Sequence, residues 1–410
     1  MSVGGCTVGA MRTHQGIIPP YLLENVAERC EGEVAERARL TRRVEAAMRN
    51  QREVRAYRAG ASHERGAVDP GAGIVPPQIL DRLDAERSHG QGLRAGDARR
   101  RREATGADDV GPPAAPNRAV HDAGHRETLP GRLARAEGAP AVDDESVNEA
   151  YDGLGDTWRL FHDVYGRDSL DDRGLQLVAT VHFMRGYDNA FWNGEQMVFG
   201  DGDGEIFRSF TDSLDVIGHE LAHGLTQYTS GLIYLAQAGA LNESVSDVFG
   251  VLTAQYTAGQ TAREADWLVG AQLFEAGVKG VALRSMKAPG TAYDDPRLGK
   301  DPQPAHMRDY QDLPHDDTGD NGGVHINSGI PNHAFYLFAT ALGGHAWERA
   351  GQVWYDTITQ QRMPKDADFA TFCAVTLAAA DARYGGGDVT DALRTAWSEV
   401  GVEPAERPAP

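Results

Sequence analysis

Asp215-Val216-Ile217-Gly218-His219-Glu220-Leu221-Ala222-His223 decides how the rest of the chain is read. On a helix His219 and His223 stand at i and i+4, one above the other, so their imidazoles can converge on one metal ion. Glu220 follows His219 directly, placed to reach a water on that metal without being a ligand. Zinc brings the pKa of such a water down to about 7, and a carboxylate beside it can take the proton as the water attacks a carbonyl. Val216, Ile217, Leu221 and Leu225 give the same helix an apolar side, as a buried site helix requires.

A third ligand should come from a separate helix. Asn242-Glu243-Ser244-Val245-Ser246-Asp247 supplies it, because Glu243 and Asp247 are again at i and i+4 and face the same way. One carboxylate can bind the metal while the other accepts a hydrogen bond from the outer nitrogen of a ligand His and fixes its tautomer. Met with no His-Glu-x-x-His nearby, such a pair reads as a solvated acidic face.

Around these motifs the chain changes texture. Residues 147–165 place Ala150, Leu154, Trp158 and Phe161 on one helical face, Leu175 to Phe183 alternates as a strand does, and Gly200 to Gly204 reads as a turn. From Asp215 onward helical patterns dominate, predicted over 215–228, 240–258, 264–277, 328–342, 346–361, 366–383 and 388–399. A β-containing half followed by a helical half is an α+β fold of two lobes, with the site expected in the cleft between them.

The first 116 residues are a different object. They carry 18 Arg, no Lys and 16 acidic side chains, a net of +2, which leaves −22 of the total −20 on residues 117–410. So acidic a body repels a phosphate backbone, which argues against nucleic acid as a partner. No apolar run reaches the roughly 18 residues of a membrane span, and the first residues lack the pattern of a Sec-type signal peptide. Location is therefore open between the cytoplasm and non-classical export. Gly16 to Arg29 (GIIPPYLLENVAER) is echoed by Gly73 to Arg87 (GIVPPQILDRLDAER), each reading as a helix begun by a Pro pair. Between them Gly32 to Arg58 alternates Glu and Arg and predicts a solvated helix or none, and residues 88–116 read as a protease-accessible linker.

With HELAH, NESVSD, Asp188-Asn189-Ala190-Phe191-Trp192-Asn193-Gly194 and Asp320-Asn321-Gly322-Gly323-Val324-His325-Ile326-Asn327-Ser328-Gly329 in this order, the chain from about Asn117 to Val402 resembles the thermolysin-type neutral metalloproteases, in particular their protealysin-like branch with short propeptides. The resemblance implies a zinc-dependent endopeptidase made as a zymogen, acting on protein or peptide substrates, with its own propeptide as inhibitor. It implies His219, His223 and Glu243 as zinc ligands, Asp247 as partner of His219, and Glu220 as general base and later proton donor. His325, held by Asp320, and Tyr234 would hydrogen-bond the oxyanion. Asn189, the backbone of Ala190, and Arg284 would hold the substrate main chain. Phe207, Phe210, Val216 and Leu283 would line the pocket for a bulky hydrophobic residue after the cut.

The implied division is a leader over 1–116 with its duplicated motif and linker, an N-terminal catalytic lobe over 117–228 and a helical lobe over 229–410. Processing is expected in the 88–118 linker. Two departures and two rival readings accompany the resemblance. Of the family's calcium carboxylates only Asp215 and Asp266 stand at matching positions, which leaves at most one weak site, since calcium needs about six oxygen ligands. Cys30 in the leader offers a thiolate that could block zinc, although free cysteines are usually bystanders. The rivals are a catalytically silent or zymogen-locked binding protein of the same fold, and a zinc exopeptidase, for which no terminus-binding charge cluster is seen.

Overall fold

A six-stranded mixed sheet sets the position of the cleft. The computed structural model describes residues 15–64, 115–359 and 363–405, so the second Pro-Pro copy and most of the linker lie outside the described residues. Across the sheet the strands run β1 (Gln15–Gly16), β5 (Ala190–Trp192), β6 (Met197–Phe199), β4 (Leu177–Val181), β2 (Arg118–Asp122) and β3 (Arg132–Ala136). β4 is parallel to both its neighbours and the other pairs are antiparallel. β1 belongs to the leader: Gln15 pairs with Trp192 and Gly16 with Phe191. The leader thus adds the outermost strand to a sheet built otherwise from the catalytic region. The described residues up to Ala56 and from Pro116 onward form one compact unit.

The leader continues as α1 (Pro20–Arg29) and α2 (Gly32–Glu64). Pro20 opens α1, where a missing N–H costs nothing, and Leu22, Leu23, Val26 and Ala27 are buried. α2 departs from the expectation of a solvated helix. Val34, Ala38, Thr41 and Glu45 form a buried stripe at helical spacing, and Leu40, Val44 and Met48 pack on Phe183, Met184, Tyr187, Phe191 and Val198. The stripe carries Ala, Thr and Glu where an amphipathic pattern would carry Leu, which is why the sequence conceals it.

In the N-terminal lobe α3 (Glu145–Arg159) lies against the sheet; the Asp144 side chain caps it by accepting from the Val147 N–H. The helical lobe is organised by α4 (Leu214–Tyr228), buried from Asp215 to Thr226, and by α5 (Ala236–Ala258), which crosses it closely. Two glycines permit that approach. A Cβ on Gly250 would stand 2.3 Å from the Asp215 carbonyl oxygen, and one on Gly218 3.0 Å from the Gly250 Cα. α7 (Gly329–Leu342), α8 (Arg349–Thr359), α9 (Phe369–Tyr384) and α10 (Asp388–Glu399) complete the lobe close to their expected bounds; α6 (Asp320–Asn327) precedes them. The helix expected over 264–277 does not form. Asp266 turns its carboxylate to the Leu268 N–H, Trp267 and Gly270 take positive φ of 61° and 69°, and β7 (Leu268–Val269) pairs with β8 (Arg284–Ser285). A side-chain-capped turn and a ladder outcompete the helical period there.

Candidate metal centre

The α4–α5 crossing brings His219, His223 and Glu243 together, all fully buried, with one ligand atom from each within 4.8 Å of the others. His219 Nε2 is 3.6 Å from Glu243 Oε2, and His223 Nε2 is 3.4 Å from Glu243 Oε1. His219 Nε2, His223 Nε2 and Glu243 Oε2 have no hydrogen-bond partner, which is rare for buried polar atoms. Two imidazoles and a carboxylate, each with an open lone pair on a common point, are the donor set of a catalytic zinc site. The residues fit that ion.

The outer ring nitrogens are held. Asp247 Oδ1 accepts from His219 Nδ1 at 2.8 Å, and His223 Nδ1 lies 2.9 Å from Asn242 Oδ1 and 3.0 Å from Ser246 Oγ. Both rings therefore keep their protons on Nδ1 and present bare Nε2 atoms to the shared point. Burial and the neighbouring His219 push His223 down to about 3, against the pull of Glu243, so it stays neutral and able to ligate. Burial would raise the Asp247 carboxyl, but Arg284 and His219 hold it well below the usual range. Its second oxygen accepts from Arg284 Nε and Asn332 Nδ2 at 2.9 and 2.8 Å.

His325 approaches from the opposite wall. Asp320, Asn321, Gly322 and Gly323 have φ of 54°, 52°, 86° and 75°, a left-handed run that Asp, Asn and Gly alone adopt readily. It folds Asp320 back onto His325, with Oδ1 2.6 Å from Nδ1 and Oδ2 accepting from the His325 N–H at 2.8 Å. Burial lowers the imidazole's affinity for its second proton, yet Asp320 and Glu243 outweigh that and hold it at about 9. His325 Nε2 faces the metal point, 3.5 Å from Glu243 Oε2 and 3.1 Å from Tyr234 Oη; the Tyr234 hydroxyl donates to Glu243 Oε1. Burial and Glu243 raise the Tyr234 hydroxyl well above its ordinary value, so it remains a donor.

Glu220 is fully buried beside these groups. Burial, then Glu243, raises its carboxyl well above the usual range, while the Trp192 N–H donates to Oε2 at 2.9 Å. Asn189, Ala190 and Arg284 also meet here, and what they hold is the leader. Ile17 N–H donates to Ala190 O at 3.1 Å, Ile18 N–H to Asn189 Oδ1 at 2.9 Å, and Arg284 Nη1 to Ile17 O at 3.2 Å. The Gly16 carbonyl accepts from His325 Nε2 at 3.0 Å.

The remaining expected residues are placed less tellingly. Phe207, Phe210, Val216 and Leu283 are buried in the main core, as is Ile17, with the Phe207 and Phe210 rings 6.0 Å apart. Asp215 turns its oxygens to Ser213, Val216 N and Gly270 N, and Asp266 serves its own turn. Cys30 ends α1 with Arg297, Asp203 and Asp295 as charged neighbours; burial pushes its thiol up, and none of those groups belongs to the metal centre. Asn332, Asn242 and Ser246, together with Arg37, Thr41 and Glu45 of α2, escaped the sequence reading. Glu45 accepts from Asn189 Nδ2, Thr41 from the Asp188 N–H at 2.9 Å, and Arg37 pairs with Asp188 at 3.1 Å. Only the i, i+4 spacing of Arg37, Thr41 and Glu45 could have signalled them.

Comparison with known proteins agrees with this geometry. Residues 119–227 match the thermolysin metallopeptidase catalytic domain and residues 230–402 its alpha-helical domain. The "Extracellular metalloprotease" of Pectobacterium carotovorum subsp. carotovorum is 55% identical over 287 residues, 70% of this chain and 81% of that protein. A "Thermolysin" of Alicyclobacillus acidocaldarius subsp. acidocaldarius is 36% identical over 294 residues, which is 69% of this chain and 50% of that one. The solved precursor of protealysin, a metalloproteinase from Serratia proteamaculans, superposes with a TM-score of 0.75 at 44% identity, covering 95% of this chain and 99% of its own. By sequence and by fold the chain belongs to the thermolysin family of zinc metalloendopeptidases, in the protealysin-like branch whose members are made as zymogens.

Proposed function

We propose that the residues of the cleft divide the hydrolysis of a peptide bond among them, with His219, His223 and Glu243 holding zinc. The observation that carries this reading is the convergence of three buried ligand atoms without other partners next to Glu220. When bound there, zinc polarises a carbonyl and lowers the pKa of a water to about 7. Glu220 takes the proton of the attacking water and passes it to the leaving nitrogen. His325, kept charged by Asp320, and Tyr234 donate to the oxyanion as it forms, where preorganised donors are worth most. Asn189, the Ala190 carbonyl and Arg284 fix the substrate backbone, and Asp247 steadies both His219 and Arg284.

Phe207, Phe210, Val216 and Leu283 are assigned to a pocket that selects a bulky hydrophobic side chain after the cut. The leader over residues 1–116 is a prosegment that covers the cleft, and 117–228 and 229–410 are the two catalytic lobes. Calcium has no role in this reading, because the Asp215 oxygens are already engaged by protein donors. A silent binding protein would have no use for an intact Glu220, His325 and Tyr234 about three ligands. The test is cleavage of casein with and without a zinc chelator, in wild type and in Glu220→Gln. Activity that survives chelation or persists in the variant overturns the mechanism.

A further inference from the structure

The leader lies along the cleft, and one of its peptide bonds is bracketed by the chemistry. The Gly16 carbonyl oxygen takes a hydrogen bond from His325 Nε2 at 3.0 Å. On the other side of the same bond the Ile17 N–H donates to Ala190 O at 3.1 Å and also faces Glu220. The next carbonyl, that of Ile17, is held by Arg284, and the next N–H, that of Ile18, by Asn189. Every main-chain polar group from the Gly16 carbonyl to the Ile18 carbonyl is engaged by the cleft, since Asn189 Nδ2 also donates to Ile18 O at 3.3 Å.

The side chains agree with that register. A Cβ on Gly16 would stand 2.8 Å from Asn189 Nδ2 and 3.3 Å from Ala190 O, so the position accepts no side chain without displacing one of them. Ile17 is completely buried. Pro19 and Pro20 then end the extended stretch by starting α1.

We infer that the leader is held in the register of a substrate and that the Gly16–Ile17 bond is cut by the chain's own centre. Water supplies the hydroxyl that ends on the Gly16 carbonyl carbon, the carbon–nitrogen bond breaks, and Glu220 returns a proton to the Ile17 nitrogen. The products are a carboxylate on Gly16 and a free amine on Ile17. This cut does not empty the cleft. Ile17 and Ile18 stay on the side of the bond that α1 and α2 fasten through Arg37, Thr41 and Glu45. Activation therefore takes two events, an early cut at Gly16–Ile17 and a later release of the helical remainder. The inference rests on the peptidase reading above.

Its test uses the full chain in two arms. In the zinc-free Glu220→Gln chain, amide hydrogen exchange reports the register: the Ile17 and Ile18 amides should be protected, and Gly16→Val should speed their exchange at least about 100-fold relative to β4. Ile17 and Ile18 amides as fast as those of an unfolded peptide overturn the register. In the wild-type chain purified with chelator and then given zinc, mass spectrometry and N-terminal sequencing should find a new terminus at Ile17. Its rate should not change over a tenfold range of protein concentration, and it should be absent from Glu220→Gln. A chain that cleaves casein while Gly16–Ile17 stays intact overturns the inference and leaves the peptidase reading standing. A terminus that forms in proportion to concentration overturns cutting within one molecule. A chain that cleaves neither casein nor itself removes the peptidase reading and the inference with it.

Discussion

Arg284 and Asp247 form a two-point ion pair with no access to solvent, Nη2 to Oδ1 at 2.8 Å and Nε to Oδ2 at 2.9 Å, and the same Oδ1 holds His219. One carboxylate thus fixes a metal ligand and the guanidinium that grips the backbone in the cleft. Asp247→Ala should leave Arg284 buried and unpaired, at a cost of about 3–5 kcal/mol, and weaken zinc binding about 10- to 100-fold. Urea unfolding and zinc titration against a chelator measure the two effects. A variant within about 1 kcal/mol of wild type would mean that water replaces the carboxylate.

Glu220→Gln keeps the shape of the side chain and removes its proton chemistry. Casein cleavage should fall by about 10²–10⁴-fold while zinc content stays the same, because Glu220 is next to the ligands and not among them. Loss of zinc from the variant would assign Glu220 to the metal instead.

If Phe207, Phe210, Val216 and Leu283 form the pocket, peptides with Leu or Phe after the cut should be cleaved roughly 10- to 100-fold faster than those with Asp. Burying one such side chain is worth about 1.5–3 kcal/mol. Equal kcat/KM values would remove these four residues from the pocket.

Away from the cleft, His182 bridges Asp201 at 2.7 Å and the α3 capping residue Asp144 at 2.9 Å. The Asp201 hydrogen bond, helped by Asp144 and opposed by burial, holds its imidazolium up at about 9. Unfolded His titrates near 6.5, so this stabilisation is full below about pH 6.5 and is lost as pH rises through 9. His182→Gln should cost on the order of 1–2 kcal/mol at pH 6, allowing for solvent screening, and much less at pH 10. Urea melts at the two pH values decide, and an equal loss at both would show that charge is not involved.

Calcium provides a test by absence of effect. Asp215 already accepts from Ser213, Val216 N and Gly270 N, and Asp266 from Leu268 N. A calcium-selective chelator should leave the melting temperature unchanged within about 1 °C, since a lost structural ligand would shift it by several degrees. A larger fall would restore a calcium site.

How much of this was legible follows from what each feature asks of the sequence. His219, His223, Glu243 and Asp247 could be read because i, i+4 spacing on a helix is a geometric statement in itself. The bounds of α4, α7, α9 and α10 followed from apolar period. The failure at 264–277 came from a turn whose cap, Asp266, does not alter that period. α2 was hidden for a related reason: its buried stripe rests on Thr41 and Glu45, whose value lies in partners 144 to 147 residues away in the chain. Asn332 was hidden likewise, an ordinary Asn until the fold sets it 2.8 Å from Asp247.

The two-residue strand β1 has a consequence for how the protein survives its own synthesis. Without it the Ala190–Trp192 strand is the bare margin of the sheet, and the Ala190 carbonyl, now taken by the Ile17 N–H, would be open to another extended chain. That indifference to sequence suits a groove that binds peptide backbones, and it is a hazard wherever the nearest extended chain is a second copy. Gln15 and Gly16 cover that margin with a strand of the same chain, so it is closed to the strand of a neighbour.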